Sequence, residues 1–351
     1  MGNSVKPQIN VGIIGCGMIT IKRHAPEYSD NSDCRIIGFY DFDKERAGDM
    51  ALRYHAKAYD TAEDLLTDDR IDAVSVCSPN YTHAEFAVRA LKEGKHVLCE
   101  KPMALTAKAA GIMTEVSKQT GKILMIGYNQ RLNRTHRTAK KLLDQGIIGR
   151  ILTVSSNFKH PGPEYWSIDR KNSTWFFDKQ KAQFGVLGDL GTHKFDVISY
   201  LTGSRIKEIC CDTATLDKRY QDGRFIDLED NATGMIRLEN QIMGTFHFSW
   251  TNYGSEDSST VVYGDKGVMR IFDDKVNDII VEQRNGTRIC YQIERMSTNE
   301  SQLKSGVIDE FISSIAENRS PAVTAEDGLY SLYVLEAAAA SSSGHCWVQV
   351  G

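Results

Sequence analysis

The sequence predicts two domains: an N-terminal α/β domain with a doubly wound parallel sheet, then an α+β domain with an open, mostly antiparallel sheet. Three observations carry this. The chain has 351 residues, more than one hydrophobic core comfortably serves at about 150 residues per domain. Its first third alternates short apolar runs with amphipathic stretches. The text after residue 150 instead runs to many strand-like segments with period-two alternation. The boundary is drawn at residues 1–128 and 129–351, with a C-terminal helix that packs back on the first domain.

The first domain reads element by element. Ile9 to Ile14 is an apolar run closed by Gly15-Cys16-Gly17, and helix-compatible text follows toward Tyr28. Arg35 to Tyr40 is a second run, ending at Asp41. Helical text covers Asp43 to Lys57 and Ala62 to Leu66, then Ala73 to Cys77 is a short β-branched strand. Tyr81 to Glu93 is amphipathic and stops at Gly94, a favourable residue just past a helix. His96 to Cys99, Ala107 to Gln119 and Ile123 to Ile126 complete the alternation. Strands and helices at this spacing form βαβ units, hence a parallel sheet.

In that setting Gly15-x-Gly17 gains meaning. It closes a strand, opens a helix, and is followed 24 residues after Gly17 by Asp41 at the next strand's end. Gly15 permits the tight turn, and Gly17 lets the backbone approach a pyrophosphate on the helix N-terminus. Cys16, Met18 and Ile19 belong to the same turn. The third fingerprint position is Thr20 rather than Gly. Asp41 accepts hydrogen bonds from ribose hydroxyls and repels a 2′-phosphate, and Phe42 follows it instead of an arginine. These features describe a Rossmann domain that prefers NAD over NADP.

Other classes recede. Lys plus Arg is 42 and Asp plus Glu is 46, a net charge of −4, which offers no basic field for nucleic acid. Hydrophobic residues at 41% and charged residues at 25% exclude wholesale disorder. No apolar run approaches the ~20 residues of a membrane span. Met1 to Asn10 is polar, without the apolar core of a signal peptide. Eight cysteines without CxxC pairs read as reduced thiols, so a cytoplasmic chain is expected.

Two segments are more specific. One runs Cys77-Ser78-Pro79-Asn80-Tyr81-Thr82-His83 and continues through Ala90 to Cys99-Glu100-Lys101-Pro102; the other is Gly188-Asp189-Leu190-Gly191-Thr192-His193-Lys194-Phe195-Asp196. At these residues the chain closely resembles the Gfo/Idh/MocA family of nicotinamide-dependent sugar and polyol oxidoreductases, along nearly its whole length. The resemblance implies that Cys77, Ser78, Pro79, Asn80, His83, Glu100, Lys101 and Asn129 border the cofactor. It assigns Lys101, Asp189 and His193 to the reacting hydroxyl.

Physical chemistry bears on the same residues independently. A lysine before proline is held in extended backbone, and here it ends a strand at the sheet edge where α/β folds bind ligands. A cation there polarises a hydroxyl and stabilises an alkoxide. Position alone leaves Lys101 between this role and that of a solvated loop lysine. Asp189 and His193 are four apart, on one face of a helix, with Asp196 a further turn along. A carboxylate beside a histidine orients the ring; an N-capping Asp with a half-buried His is the other reading. Gly185, Gly188 and Gly191 allow backbone and ligand to approach closely. No metal is expected, since Asp189, His193 and Asp196 lack HExxH or Cys-His spacing and hydride transfer needs none.

In the second domain the helix Arg134 to Leu143 reads as a solvated basic face, whereas Arg131 stands near the strand end and borders the substrate by resemblance. β-type segments follow at Ile151–Phe158, Ile206–Leu216, Ala232–Leu238, Gly244–Thr251, Thr260–Tyr263, Gly267–Phe272, Ile279–Gln283 and Thr287–Ile293. An exposed sheet face with aromatics points to a homodimer or homotetramer. Lys159, His160 and Trp175, in a loop also holding Tyr165, Trp166, Phe176 and Phe177, suit the wall of a sugar pocket. A small hydrophobic core under that loop is the other reading. Phe184 stands where the family often has Gly.

The expected function is hydride transfer from a secondary hydroxyl of a sugar, inositol or cyclic polyol to NAD. Lys101 and His193 share the proton, and Asp189 holds the substrate and orients His193. Two alternatives stay open: an NAD-dependent glycoside hydrolase working by transient oxidation, and a non-catalytic sugar- or NAD-binding regulator.

Overall fold

The computed structural model describes residues 8–169, 173–294 and 304–351; readings that fell on Met1 to Pro7 lie outside these residues. The chain divides into two compact units, Met1–Asn129 with Thr298–Leu329, and Gln130–Ser297 with Tyr330–Gly351.

The first unit holds β1 Ile9–Ile14, α1 Ala25–Asp30, β2 Cys34–Tyr40, α2 Lys44–Arg53, β3 Lys57–Ala58 and α3 Ala62–Leu66. β4 Ala73–Val76, α4 Asn80–Lys92, β5 His96–Cys99, α5 Ala107–Thr120 and β6 Leu124–Ile126 follow. Its six strands are parallel in the order β3-β2-β1-β4-β5-β6, the doubly wound arrangement expected of alternating βα text. Val11, Ile13, Val74, Val76, Val97 and Leu98 are fully buried, because a parallel sheet is covered on both faces. Asp43 caps α2 by accepting from the Glu45 and Arg46 amides, and Thr106 caps α5 from Ala109. Helical text was expected to continue to Lys57. Instead α2 stops at Arg53, His55 takes a positive φ of 53°, and Lys57–Ala58 pairs with β2 as an edge strand.

The second unit contains α7 Arg134–Asp144, β7 Ile151–Lys159, α8 Lys179–Ala182, α9 Thr192–Thr202, β8 Ile206–Ala214, β9 Asn231–Leu238 and β10 Met243–Ser249. β11 Thr260–Gly264, β12 Gly267–Ile271, β13 Ile279–Gln283 and β14 Arg288–Tyr291 come next. The helical turn α6 Asn129–Leu132 bridges the division, and α10 Val307–Ala316 belongs to the first unit. α11 Ala325–Gly344 and β15 Val348–Gln349 close the chain.

The second sheet has nine strands, ordered β14-β13-β12-β11-β7-β10-β9-β8-β15. All neighbours are antiparallel except β7 and β10, which run parallel. Alternation is clear on β10, where Gly244, Phe246 and Phe248 are buried while Met243, Thr245 and His247 face out. α9 packs on the buried side: Phe195 meets Phe246 and Phe248 edge-on at ring distances of 5.2 and 5.4 Å. Two details were absent from the pattern, the parallel β7–β10 pair and the two-residue strand β15. All eight cysteines are unpaired. Among the described residues, no helix is long and apolar enough to cross a membrane.

Candidate active site

In the first unit the turn after β1 is built as a phosphate-binding turn requires. Gly15 has φ +96°, and a Cβ there would stand 2.5 Å from the Ser78 amide nitrogen, so only glycine fits. Nothing lies within 4 Å of the Cβ position of Gly17. Gly17 opens the helical run, its carbonyl accepting from Ile21 at 3.0 Å, so the amides of Gly17, Met18 and Ile19 sit in a first turn without intrahelical acceptors. All three residues are partly exposed. The unexpected Thr20 is fully buried and donates its hydroxyl to the Gly15 carbonyl at 2.6 Å, tying the turn from within where the fingerprint has a third glycine.

Asp41, at the end of β2, accepts the Cys16 amide on one oxygen at 2.6 Å and the Asp43 amide on the other at 2.8 Å. A carboxylate has roughly four acceptor sites, so capacity for ribose hydroxyls remains. Together these residues fit a dinucleotide, which would supply a hydride acceptor when bound. Cys77 and Ser78 follow β4, Pro79 caps α4, Asn80 begins it, and Asn129 is buried just after β6.

Two expected cofactor residues turn inward instead. His83 is 1% exposed, with Nδ1 2.8 Å from the Pro102 carbonyl and Nε2 2.7 Å from the Ser78 carbonyl. Both ring nitrogens face carbonyl oxygens of the protein, and the neutral ring that burial favours donates to one of them, so His83 lies between two loops rather than reaching a ligand. Glu100 points its Oε1 to His24 Nε2 at 2.9 Å, while its Oε2 accepts the Lys101 amide at 3.2 Å. His24 went unnoticed in the sequence. It is 2% exposed, and its Nδ1 lies 3.2 Å from Ser75 Oγ, which also bonds the Tyr28 hydroxyl at 2.7 Å. Burial alone would lower the His24 pKa, but the Cys77 thiol and the Glu100 carboxylate reverse this and raise it to about 10. Glu100 stays below the usual carboxylate value; its own burial opposes that, and the bond to His24 outweighs it. Lys101 follows β5 directly, and the Lys101–Pro102 peptide is cis.

In the second unit the DLGTH segment departs from the expected straight α-helix. Leu187–Gly191 forms a π-helical turn that leads into α9, so Asp189 and His193 do not stand one regular α-turn apart. Such turns recur at functional sites, and the other π-helical turn, Thr20–His24, sits beside the nucleotide turn. The glycines of this segment admit neighbouring protein groups rather than a ligand. A Cβ on Gly185 would stand 2.1 Å from the Glu229 carbonyl oxygen, on Gly188 2.9 Å from Phe184, and on Gly191 3.1 Å from Phe248. Glu229 clasps the entry to the turn, its carboxylate accepting the Gly185 and Leu187 amides at 2.8 and 3.1 Å.

Asp189 is 7% exposed and accepts from the Trp250 indole nitrogen at 3.1 Å. His160 Nε2 lies 3.9 Å from the same carboxylate oxygen, and His160 Nδ1 accepts the Gly162 amide at 3.0 Å. Phe158 stands edge-on to His160 at 5.8 Å and to His193 at 6.2 Å, so one ring spaces the two imidazoles. Trp175 joins indirectly: it stacks on Phe176 at 3.9 Å, Phe176 meets Trp166 at 5.0 Å, and Trp166 meets His160 at 6.4 Å. The unit thus gathers Asp189, His160 and His193 at one place with an aromatic wall extending to Trp175.

Two expected substrate contacts lie elsewhere. Lys159 follows Phe158 on β7, so strand alternation turns it to the opposite face, and its ammonium sits 3.5 Å from Asp257. Arg131 lays its guanidinium on Asp196, with Nε 3.1 Å from Oδ2 and both side chains nearly buried. That ion pair draws Arg131 toward the far end of the DLGTH segment rather than toward Asp189. Trp250 and Glu229 were missed. A tryptophan closing an apolar strand was the available signal, since a buried indole N–H needs an acceptor.

Comparison with known proteins follows the same division. The profile described as oxidoreductase family, NAD-binding Rossmann fold, matches residues 9–128, and the GFO/IDH/MocA C-terminal domain matches residues 136–270. The chain is 29% identical over 334 residues to myo-inositol 2-dehydrogenase of Thermotoga maritima, covering 92% of this chain and 93% of that protein. It is 26% identical over 323 residues to levoglucosan dehydrogenase of Pseudarthrobacter phenanthrenivorans, covering 82% of each. The solved complex of levoglucosan dehydrogenase with NADH and levoglucosan superposes with a TM-score of 0.85 at 23% identity, over 98% of this chain and 99% of that one. With both domain profiles matched in order, this chain belongs to the Gfo/Idh/MocA oxidoreductase family.

Proposed function

We propose that the protein is an NAD-dependent dehydrogenase that oxidises a secondary hydroxyl of a sugar, inositol or related cyclic polyol. The observation that carries this reading is the cluster of Asp189, His160 and His193 around Phe158, one carboxylate and two imidazoles of the kind that bind a hydroxyl and move its proton. The relatives named for inositol and levoglucosan support the substrate class.

In this mechanism the amides after Gly15 would hold the pyrophosphate and Asp41 the adenine-side ribose, and bound NAD would supply the hydride acceptor. Lys101 and His193 share the hydroxyl proton, the lysine stabilising the developing alkoxide. Asp189, fixed by Trp250, holds the substrate. His160 and the Trp166–Trp175 aromatics wall the ring. The outward face of the second sheet, with Met235 and Met243 exposed, supports a homodimer or homotetramer.

The test is an NADH-absorbance screen against inositols, aldoses, anhydro-sugars and glycosides, where absence of NADH formation with every one overturns the reading. On the substrate it selects, Lys101→Ala is expected to lower turnover about 10²–10⁴-fold while NADH still binds; unchanged turnover removes Lys101 from the mechanism. Because Asp41 faces the ribose, NADH is expected to bind at least about ten-fold tighter than NADPH in a fluorescence titration. The reverse order overturns that preference.

A further inference from the structure

The dehydrogenase reading makes Lys101 a reacting group, yet a lysine side chain has four rotatable carbons and little intrinsic aim. Its precision has to come from the backbone that carries it. That backbone is held from both sides by buried imidazoles, and neither is part of the proton-handling set described above.

On the N-terminal side, the Glu100 carboxylate bridges two partners. One oxygen accepts the Lys101 amide at 3.2 Å and the other meets His24 Nε2 at 2.9 Å. His24 is anchored in turn on Ser75 of β4 at 3.2 Å, and Ser75 on the Tyr28 hydroxyl at 2.7 Å. Gly127 makes room for this carboxylate, since a Cβ there would stand 2.9 Å from Glu100 Oε1. On the C-terminal side, the Pro102 carbonyl lies 2.8 Å from His83 Nδ1, while His83 Nε2 lies 2.7 Å from the Ser78 carbonyl at the end of β4. Burial favours the neutral ring, which has one N–H and so donates to one of the two carbonyls while its other nitrogen lies against the second. Tyr28, His24 and His83 are 0%, 2% and 1% exposed, so solvent does not compete for these bonds.

We infer that His24 and His83 are positioning residues for Lys101, clamping Glu100 and Pro102 on either side of it against strand β4. The inference rests on the reading of Lys101 as a reacting group. Both histidines act through backbone and carboxylate, and no local pattern reveals the pairing, since 51 positions separate His24 from Ser75 and 76 from Glu100. Displacing a reacting group by about 1 Å costs on the order of 10²-fold in rate, so loosening one jaw reads out in turnover rather than in cofactor affinity.

The experiment compares His24→Ala and His83→Ala with His24→Gln and His83→Gln in the full-length protein. Activity is assayed with the substrate chosen by the NADH screen. Each alanine variant is expected to lose about ten-fold or more in kcat, with KM for NAD and the NADH dissociation constant within about three-fold of wild type. The glutamine variants, whose side-chain amide can still donate to Glu100 or Pro102, are expected to recover most of the loss. Amide hydrogen exchange, which needs no substrate, is expected to speed up in the peptide spanning Cys99 to Met103 in the alanine variants and to return toward wild type with glutamine. If an alanine variant does not fold, Glu100→Gln and His24→Asn are read by the same two measurements. Unchanged kcat and unchanged exchange in folded variants overturn the clamp. Lys101→Ala separates the two ideas. If it keeps full turnover, the assignment of Lys101 falls and the clamp with it; if it is inactive while the histidine variants stay fully active, only the clamp falls.

Discussion

Trp250 shows how much a single polar atom decides at this site. Its ring is fully buried, and its one donor ends on the Asp189 carboxylate. A hydrogen bond to a charged group is worth about 1.5–3 kcal/mol. Trp250→Phe keeps an aromatic ring there but removes the N–H together with part of the indole, so it should lower kcat/KM for the substrate about ten-fold or more while NADH affinity stays unchanged; an unaltered kcat/KM would mean that Asp189 needs no anchor. Thr20 makes the complementary point. It stands at the third fingerprint position, where glycine usually allows close packing, and its hydroxyl instead ties the Gly15 carbonyl. The turn survives the departure because a side-chain bond substitutes for a missing side chain.

At the scale of elements, both functional segments pass through a π-helical turn, Thr20–His24 in the first unit and Leu187–Gly191 in the second. A π turn inserts one residue into the helical winding and so re-aims the side chains around it. In the first unit it accompanies a His24 turned inward to Ser75 and Glu100. The Cys77 thiol and the Glu100 carboxylate beside His24 predict a pH signature. The His24 pKa is raised in the folded protein from 6.5 to about 10, so the folded state holds a proton that the unfolded chain releases. The resulting stabilisation is fully present below pH 6.5 and is lost as pH rises through about 10. The melting-temperature gap between wild type and His24→Gln should therefore be widest near pH 6 and narrow toward pH 10.5. A gap that widens with pH would contradict a His24 held protonated by Cys77 and Glu100.

Across the whole molecule, the first unit is discontinuous in sequence. Residues 304–329 return to it, and the seam is a buried Glu27 whose two oxygens accept the Ser305 amide at 2.8 Å and the Ser305 hydroxyl at 2.9 Å. Asn31 adds a bond to Asp309 at 2.9 Å, and Phe311 and Ile312 of α10 are buried. Glu27→Ala removes two charge-assisted bonds and should destabilise the first unit by about 2–4 kcal/mol in urea unfolding. A loss under about 0.5 kcal/mol would show that apolar packing alone holds the segment.

Most of the architecture was readable in the order of the residues. Hydrophobic periodicity depends on neighbours within a few positions, so β1, β4, β5, β6 and the antiparallel strands fell within a residue or two of their observed limits. That Gly15, Asp41 and Lys101 follow strand ends and that Asp189 and His193 lie where a helix opens was also legible from the local sequence, and the proposed roles rest on those positions. Tertiary structure alone decided the partners. It set Trp250 on Asp189, His24 on Glu100 and Glu27 on Ser305, and turned His83, Lys159 and Arg131 away from their expected tasks. The reason is physical. A buried polar group must find a partner wherever the fold brings one, and these partners lie from 61 to 278 positions apart in the chain, far beyond the reach of any local pattern.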